Sequence, residues 1–288
     1  MQPTPKTIQI FLPGGDPRGI RIAEITTRIV QAIEVPRALL EKFLKMPESG
    51  QVSLYFLFGE SDNGETHSVY IGQTGDLRER LVAHNKAKDF WQRALVLISR
   101  TNSLTQTHAL FLEWMCLQEA KGAGRYQTEN ANNGIKPHTP APLEADCLEI
   151  YDTGRTLLAT LGYPVFEPLA QQVGANGDVE LFFCKRAGTD AKGEYTSDGF
   201  VVLKGSKGKA TVNKSMENHS FAKLRADLIS QGKIQLEGGA AVFQEDVLFN
   251  SPSGASAVVC GAASNGWREW KNNKGQTLDE VKRNPTEI

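Results

Sequence analysis

VSLYFLF (Val52–Phe58), followed after GESDNGETH by SVYIGQTGDLRERLVAHN (Ser68–Asn85), decides the fold. Leu54, Phe56 and Phe58 alternate with Ser53, Tyr55 and Leu57, the period of a strand. On the return, Val69 and Ile71 oppose Ser68, Tyr70 and Gly72. Asp62-Asn63-Gly64 between them is a hairpin-turn signal, because Asn and Gly tolerate positive φ. The two strands then bring Tyr55 and Tyr70 to one sheet face. A helix follows, with Asp76 as N-cap after Gly75. Leu77 and Leu81 mark its buried stripe, and Arg80 and His84 fall inside it, one turn apart. Arg78 and Glu79 point elsewhere. A buried arginine needs a partner, which makes Arg80 a site candidate.

The next helical stretch is SLTQTHALFLEWMCLQEAKG (Ser103–Gly122), where Ser103 and Gln106 have capping-box spacing. On a helical wheel, Ala109, Leu110, Cys116, Leu117 and Ala120 surround Glu113. A carboxylate on an apolar face is neutralised, paired or holding a cation. Each candidate has a plainer reading when taken alone. The tyrosines suit a sheet edge, Arg80 can cover Leu77 with its stem, His84 can be structural, and Glu113 can pair with a lysine. Their combination is what singles them out.

This combination resembles the GIY-YIG nuclease superfamily. Tyr70-Ile71-Gly72 matches the second half of the motif, and Ser53-Leu54-Tyr55 keeps the tyrosine of the first half. Arg80 and His84 lie ten and fourteen positions beyond Tyr70. Glu113 ends the aliphatic run that precedes the family's metal-binding glutamate. Asn130, with Asn132 close behind, matches the family's asparagine in RYQTENANN (Arg125–Asn133). Ser53 replaces the first motif's glycine, and the loop between the tyrosines is longer than usual.

The resemblance implies hydrolysis of phosphodiester bonds, with DNA as the expected substrate. Glu113 would hold one Mg²⁺ or Mn²⁺ on the scissile phosphate, where a metal keeps most of its waters. Tyr70 or Tyr55 would take the proton of the attacking water, and spacing does not choose between them. Arg80 would clamp the phosphate with its planar fork, His84 would position water or phosphate, and Asn130 would close the site. The alternative is a nuclease fold that has lost catalysis and serves as a nucleic-acid-binding or protein-interaction module.

Charge bears on both readings. A net charge of −1 over 288 residues counts against a strongly basic, non-specific binder. Locally, however, Arg78, Lys86, Lys88, Arg93 and Arg100 accompany Arg80, with Phe90 and Trp91 among them. Arg78, Lys86, Lys88 and Arg93 are the candidate contacts to a nucleic-acid backbone.

The sequence predicts an α+β chain in several parts. Residues 1–48 read as a β-hairpin module of strand, turn, strand and helix. Residues 49–167 form the nuclease-like domain on a small mixed sheet, closed by a helix over EADCLEIYDTGRTLLATLGY. Residues 168–178 read as a linker, and residues 179–288 as a second, accessory α+β domain. In that domain ELFFCKR and GFVVLKGSKG read as strands, SFAKLRADLISQGKI and SPSGASAVVCG as helices, and NGWREWKNNKGQTL as a hairpin. It resembles a small module of unknown function that follows such nuclease domains in bacterial and phage proteins. Its Lys204, Lys207, Lys209, Lys214, Arg268 and Lys271, near Trp267 and Trp270, suit nucleic-acid contact. Four dispersed cysteines without a CxxC argue against a zinc site or disulfide framework and fit a cytoplasmic protein. No apolar run reaches membrane-spanning length, and no signal-peptide core opens the chain.

Overall fold

A computed structural model describes residues 4–60, 67–132, 134–170, 179–186, 188–213 and 220–284. The chain is α+β and divides into two units, Met1–Pro168 and Leu169–Ile288. The Asp62-Asn63-Gly64 turn, most of the 168–178 linker and Lys214 lie outside the described residues. Among the described residues no helix is long and apolar enough to cross a membrane.

In the first unit the elements run β1 (Ile8–Phe11), β2 (Arg21–Ile25), β3 (Val30–Pro36), α1 (Leu40–Phe43), β4 (Ser53–Glu60), β5 (His67–Thr74) and α2 (Leu77–Ala87). They continue as β6 (Trp91–Ser99), α3 (Gln106–Ala123), β7 (Gln127–Thr128) and α4 (Ala141–Thr160). One seven-stranded sheet has the order β1-β2-β3-β6-β4-β5-β7. Its pairs are antiparallel except β5 with β7, which is parallel.

Strands β1 to β3, within residues 1–48, extend this sheet. Val30–Pro36, unread as a strand in the sequence, pairs along its whole length with β6 and carries the N-terminal strands into the main sheet. Its residues are buried on both faces, so the pattern lacks the alternation that marks a half-exposed strand.

Alternation sorts the side chains into two cores. Leu54, Phe56, Phe58, Val69, Ile71, Leu95 and Leu97 share a cluster with residues of α3 and α4. Tyr55, Leu57, Ala94, Val96 and Ile98 face the other way, with Leu40 and Phe43 of α1 and Leu77 and Leu81 of α2. The sheet thus has helices on both faces, and a fully buried Leu or Phe on either contributes about 1.5–3 kcal/mol. Asp76 caps α2, accepting from the Arg78 and Glu79 amides. The start of α3 departs from expectation: Thr105 is the N-cap, reciprocated by His108, in place of Ser103 with Gln106. Ser103 instead joins a hydroxyl chain with Ser99 and Thr101. Gly124, at φ 62°, ends α3.

The second unit contains β8 (Leu181–Cys184), β9 (Ala191–Thr196), β10 (Gly199–Val202), β11 (Lys207–Lys209), α5 (Ser220–Ser230), β12 (Ile234–Glu237), β13 (Ala240–Phe243), β14 (Val247–Phe249), α6 (Pro252–Cys260), α7 (Gly266–Glu269) and α8 (Leu278–Lys282). Two sheets form, ordered β14-β10-β9-β8 and β11-β13-β12. Ser251 caps α6 ahead of Pro252, as the sequence predicts. Two readings change. Between the two expected strands, AGTDAKGEYTSD contains a further one, β9. NGWREWKNNKGQTL begins with the single turn of α7, and only its second half reverses as a hairpin does, through the antiparallel Lys271–Thr277 bridge and the Asn272–Gln276 backbone bond.

Candidate functional site

Tyr55 stands opposite Gly72 in the β4–β5 ladder, and Tyr70 lies diagonally beside it. The two rings are 6.2 Å apart on the face covered by α2. Tyr55 is fully buried. A Cβ built on Gly72 would press against the Tyr55 hydroxyl, 2.5 Å from its Cζ and 3.0 Å from Tyr70 Cε1. The glycine is what lets the phenol lie flat across the strand.

Helix α2 supplies the partners. Arg80 Nε donates to the Tyr55 hydroxyl at 3.0 Å, and the same hydroxyl lies 2.8 Å from His84 Nε2. His84 is on the buried stripe with Leu77 and Leu81. Arg80 is largely exposed and reaches inward only with its side chain. The Tyr70 hydroxyl also interacts with Tyr55 and Arg80. Burial raises the Tyr55 phenol well above its usual range, with Arg80 opposing. Burial, then Arg80 and Lys88, lowers His84 to about 4. At neutral pH the phenol is therefore protonated and the imidazole uncharged. Arg80 can only donate, so Tyr55 accepts from it and has one proton to share between His84 Nε2 and the Tyr70 hydroxyl.

The outer edge of β5 completes the cluster. β7 pairs only with Ser68 and Val69. Ile71 and Gln73 therefore turn their backbone polar groups to an edge with no strand against it. Asn130 caps the first of these: its Oδ1 accepts from Ile71 N at 3.0 Å, and its Nδ2 donates to Ile71 O at 2.7 Å. The amide side chain stands in for a peptide group and holds the backbone between Tyr70 and Gly72. Glu113 takes the second. It is half-buried on α3, on the opposite side of the sheet from α2, and accepts from the Gln73 backbone amide. Burial raises its carboxyl above the usual range, while Gln73 and the Arg80 charge pull it down. Glu113 thus reaches Arg80's field around the open edge of β5. Asn132 is exposed.

Among the described residues no three His, Cys, Asp or Glu side chains converge on a metal position. A cation at Glu113 would therefore have one protein carboxylate, with water and phosphate oxygens as its other ligands. A partly desolvated carboxylate at an open edge suits magnesium or manganese in that mode.

The basic residues separate. Lys88 lies over the Tyr70 ring, its ammonium 4.5 Å from the centroid, and Lys86 is exposed on α2. Arg78 is tied to the buried Ser49 hydroxyl at 2.9 and 3.2 Å, which anchors α2. Arg93 is not at this site. It is on the opposite sheet face, where it donates to Glu34 at 2.9 Å. The strand period could have revealed this, because Arg93 alternates with Ala94 and shares its face with Leu95 and Leu97. The Lys88–Tyr70 stacking had no sequence signal, since it depends on where the turn after α2 places its first residue.

In the second unit the two tryptophans differ. Trp270 is core, fully buried with its Nε1 donating to Pro252 O at 3.1 Å. Trp267 is partly buried, with the Arg283 guanidinium 3.4 Å over its ring and Tyr195 edge-on at 5.5 Å.

Compared with known protein families, residues 182–282 match the domain of unknown function DUF4357. Searches of curated proteins and of solved structures returned no match.

Proposed function

We propose that the first unit is a metal-dependent endonuclease that hydrolyses phosphodiester bonds, with DNA as substrate. The observation that carries the proposal is the Tyr55 hydroxyl held between Arg80 Nε and His84 Nε2. A plain core does not need a fully buried phenol bonded to a cationic helix side chain at the surface. The resemblance of Tyr70-Ile71-Gly72, Arg80, His84 and Glu113 to the GIY-YIG superfamily points to the same chemistry.

Arg80, oriented by its Nε bond to Tyr55, would present its guanidinium to a phosphate. Lys88 adds positive charge beside Tyr70. Tyr70, on the solvent side of the pair, is placed to receive a proton from an attacking water. Tyr55 can pass a proton inward to the neutral His84, so the relay ends on a nitrogen free to accept it. Asn130 keeps Tyr70 and Gly72 in register. Glu113 would hold the magnesium or manganese ion, which when bound would neutralise charge on the phosphate and leaving oxygen.

Incubating the purified chain with supercoiled, nicked and branched DNA plus Mg²⁺ or Mn²⁺ should give cleavage. Glu113→Ala and Arg80→Ala should each lower it by about 10²-fold or more. Cleavage unchanged in Glu113→Ala, or absent on every substrate, would end the proposal.

The second reading is a binding module without catalysis. The complete burial of Tyr55 favours it, because its hydroxyl already has Arg80, His84 and Tyr70 as partners inside the protein. DNA binding without cleavage, insensitive to Arg80→Ala and Glu113→Ala, would decide for it.

A further inference from the structure

We infer that Cys184 and Cys260 form an oxidative modification site, closing to a reversible disulfide under a hydroperoxide and clamping the second unit. The two residues are 76 positions apart, and their sulfurs lie 3.7 Å from each other. Both are buried. Cys184 ends β8 and Cys260 ends α6, so a bond between them would join the end of a sheet strand to the end of a helix.

The surroundings hold the sulfurs in place. Thr189 Oγ1 sits 3.9 Å from the Cys184 sulfur and is itself held by the Arg186 amide, which donates to it at 3.0 Å, and by the Cys184 and Arg186 carbonyls, which share its one proton. On the helix side the Arg225 guanidinium is buried and donates to Val258 O at 2.5 Å and to the Lys209 carbonyl. Gly261, at φ 60°, turns the chain away directly after Cys260, and its carbonyl accepts from Asn213 N at 2.8 Å. The last turn of α6 is thus anchored on two sides, and a bond requires the sulfurs to approach from 3.7 Å to about 2.05 Å. The other two cysteines serve as an internal control. Cys116 is enclosed in the first unit's core, and the Cys147 thiol faces the His108 carbonyl at 3.9 Å.

The roles within the pair are unequal. The hydrogen bond with Cys260 holds Cys184 below the usual thiol range, with Thr189 and the Arg186 amide adding to the effect. Cys260 is pushed up by the same bond and by burial. Cys184 is accordingly the attacking thiolate. Its sulfur attacks a hydroperoxide oxygen, the O–O bond breaks, and Cys184 becomes a sulfenic acid as hydroxide leaves. The Cys260 sulfur then displaces the sulfenic oxygen, which departs as water with the Cys260 proton. Two thiols have lost two electrons and the peroxide has gained them. A dithiol returns the pair by thiol–disulfide exchange.

The test uses the full reduced chain exposed to hydrogen peroxide, followed by intact mass, thiol counting after unfolding and peptide mapping. Two of the four thiols should disappear, the mass should fall by two hydrogens, and the linked peptides should carry Cys184 and Cys260. The thermal midpoint of the second unit should rise by roughly 10 °C and fall back with dithiothreitol. Cys184→Ser and Cys260→Ser should abolish both changes, while the Cys116→Ser/Cys147→Ser double variant should keep them. Four surviving thiols, a bridge between other cysteines, or a bridge that leaves the midpoint unmoved would overturn the inference. If either serine variant fails to fold, mapping of the wild-type chain decides alone.

Discussion

Two polar clusters lie on opposite faces of the same sheet in the first unit, and they are built to different ends. On one face Glu34, with no exposed side-chain surface, sits between Arg21 and Arg93 and accepts from the Tyr163 hydroxyl at 3.0 Å. Arg21 also reaches the Leu161 carbonyl at 3.2 Å. These bonds tie β2, β3, β6 and the chain just after α4 together. On the other face Tyr55, Tyr70, His84 and Arg80 are joined to one another, but Arg80 is exposed and Lys88 stands over Tyr70. Glu113 feels the Arg80 charge around the strand edge. The first cluster surrounds its one buried carboxylate with two guanidinium groups and a phenol and is a fastening. Among the described residues the second has no carboxylate between its cations and keeps positive charge and donors toward solvent, which is what an anionic ligand requires.

The sharpest way to break this contrast is to remove each cluster's central group and compare. Glu34→Ala leaves two guanidinium groups beside an apolar core without their shared carboxylate. It should cost about 3–5 kcal/mol of unfolding free energy in urea titration. Arg80→Ala removes an exposed cation and should cost less than about 1 kcal/mol, while lowering DNA cleavage far more. Equal stability losses would mean that the Tyr55 cluster is a second fastening and not a site.

Gly72→Ala comes next in size. Its new Cβ collides with the Tyr55 ring, so either the ring moves or the β4–β5 ladder opens. A loss of about 1–3 kcal/mol is expected from overpacking. Cleavage should fall by about 10-fold or more beyond the loss of folded protein, because the Tyr55–Arg80–His84 geometry is displaced.

How much of this was legible in the sequence follows from the range of each interaction. The hairpin, the Asp76 cap and the shared face of Tyr55 and Tyr70 depend on neighbours within a few positions, and alternation carried them. Glu113 and Asn130 were singled out by pattern, but what they touch was not. The open edge of β5 exists because β7 is only two residues long, and no local signal announces that. The β3 strand was missed for the reverse reason: burial on both faces erased its period. Arg93 was misplaced because charge proximity along the chain was allowed to outweigh strand parity, which puts it with Glu34. The Cys184–Cys260 contact joins elements 76 residues apart and has no sequence signature at all.

His84 offers a finer probe of the open cluster. Its folded value, about 4, lies below the ordinary 6.5, so the unfolded chain binds more protons between these two pH values. Stability from this residue is fully present above about pH 6.5 and is lost as pH falls toward 4. Urea unfolding across that window should show the loss in wild type and a flatter profile in His84→Gln. Lys88→Ala removes one of the charges that lower His84 and should move its NMR titration upward. An unmoved titration would detach Lys88 from the cluster.

The smallest effect concerns Ser53, which shares a sheet face with Tyr55 and stands where the resembled superfamily has glycine. It is fully buried, and its hydroxyl has no hydrogen-bond partner among the described residues. An unpaired buried hydroxyl costs about 1–3 kcal/mol, part of which is regained when the oxygen is removed. Ser53→Ala should therefore stabilise the chain by up to about 1 kcal/mol. Ser53→Gly should be close to neutral, since the added backbone freedom of glycine, about 0.5–1 kcal/mol, offsets the gain. Neither should change cleavage, because Tyr55, Arg80 and His84 are joined without the Ser53 oxygen. If Ser53→Ala instead destabilises the chain and slows cleavage, the hydroxyl holds a water that belongs to the open cluster, and that cluster extends one residue further along β4 than the side-chain contacts indicate.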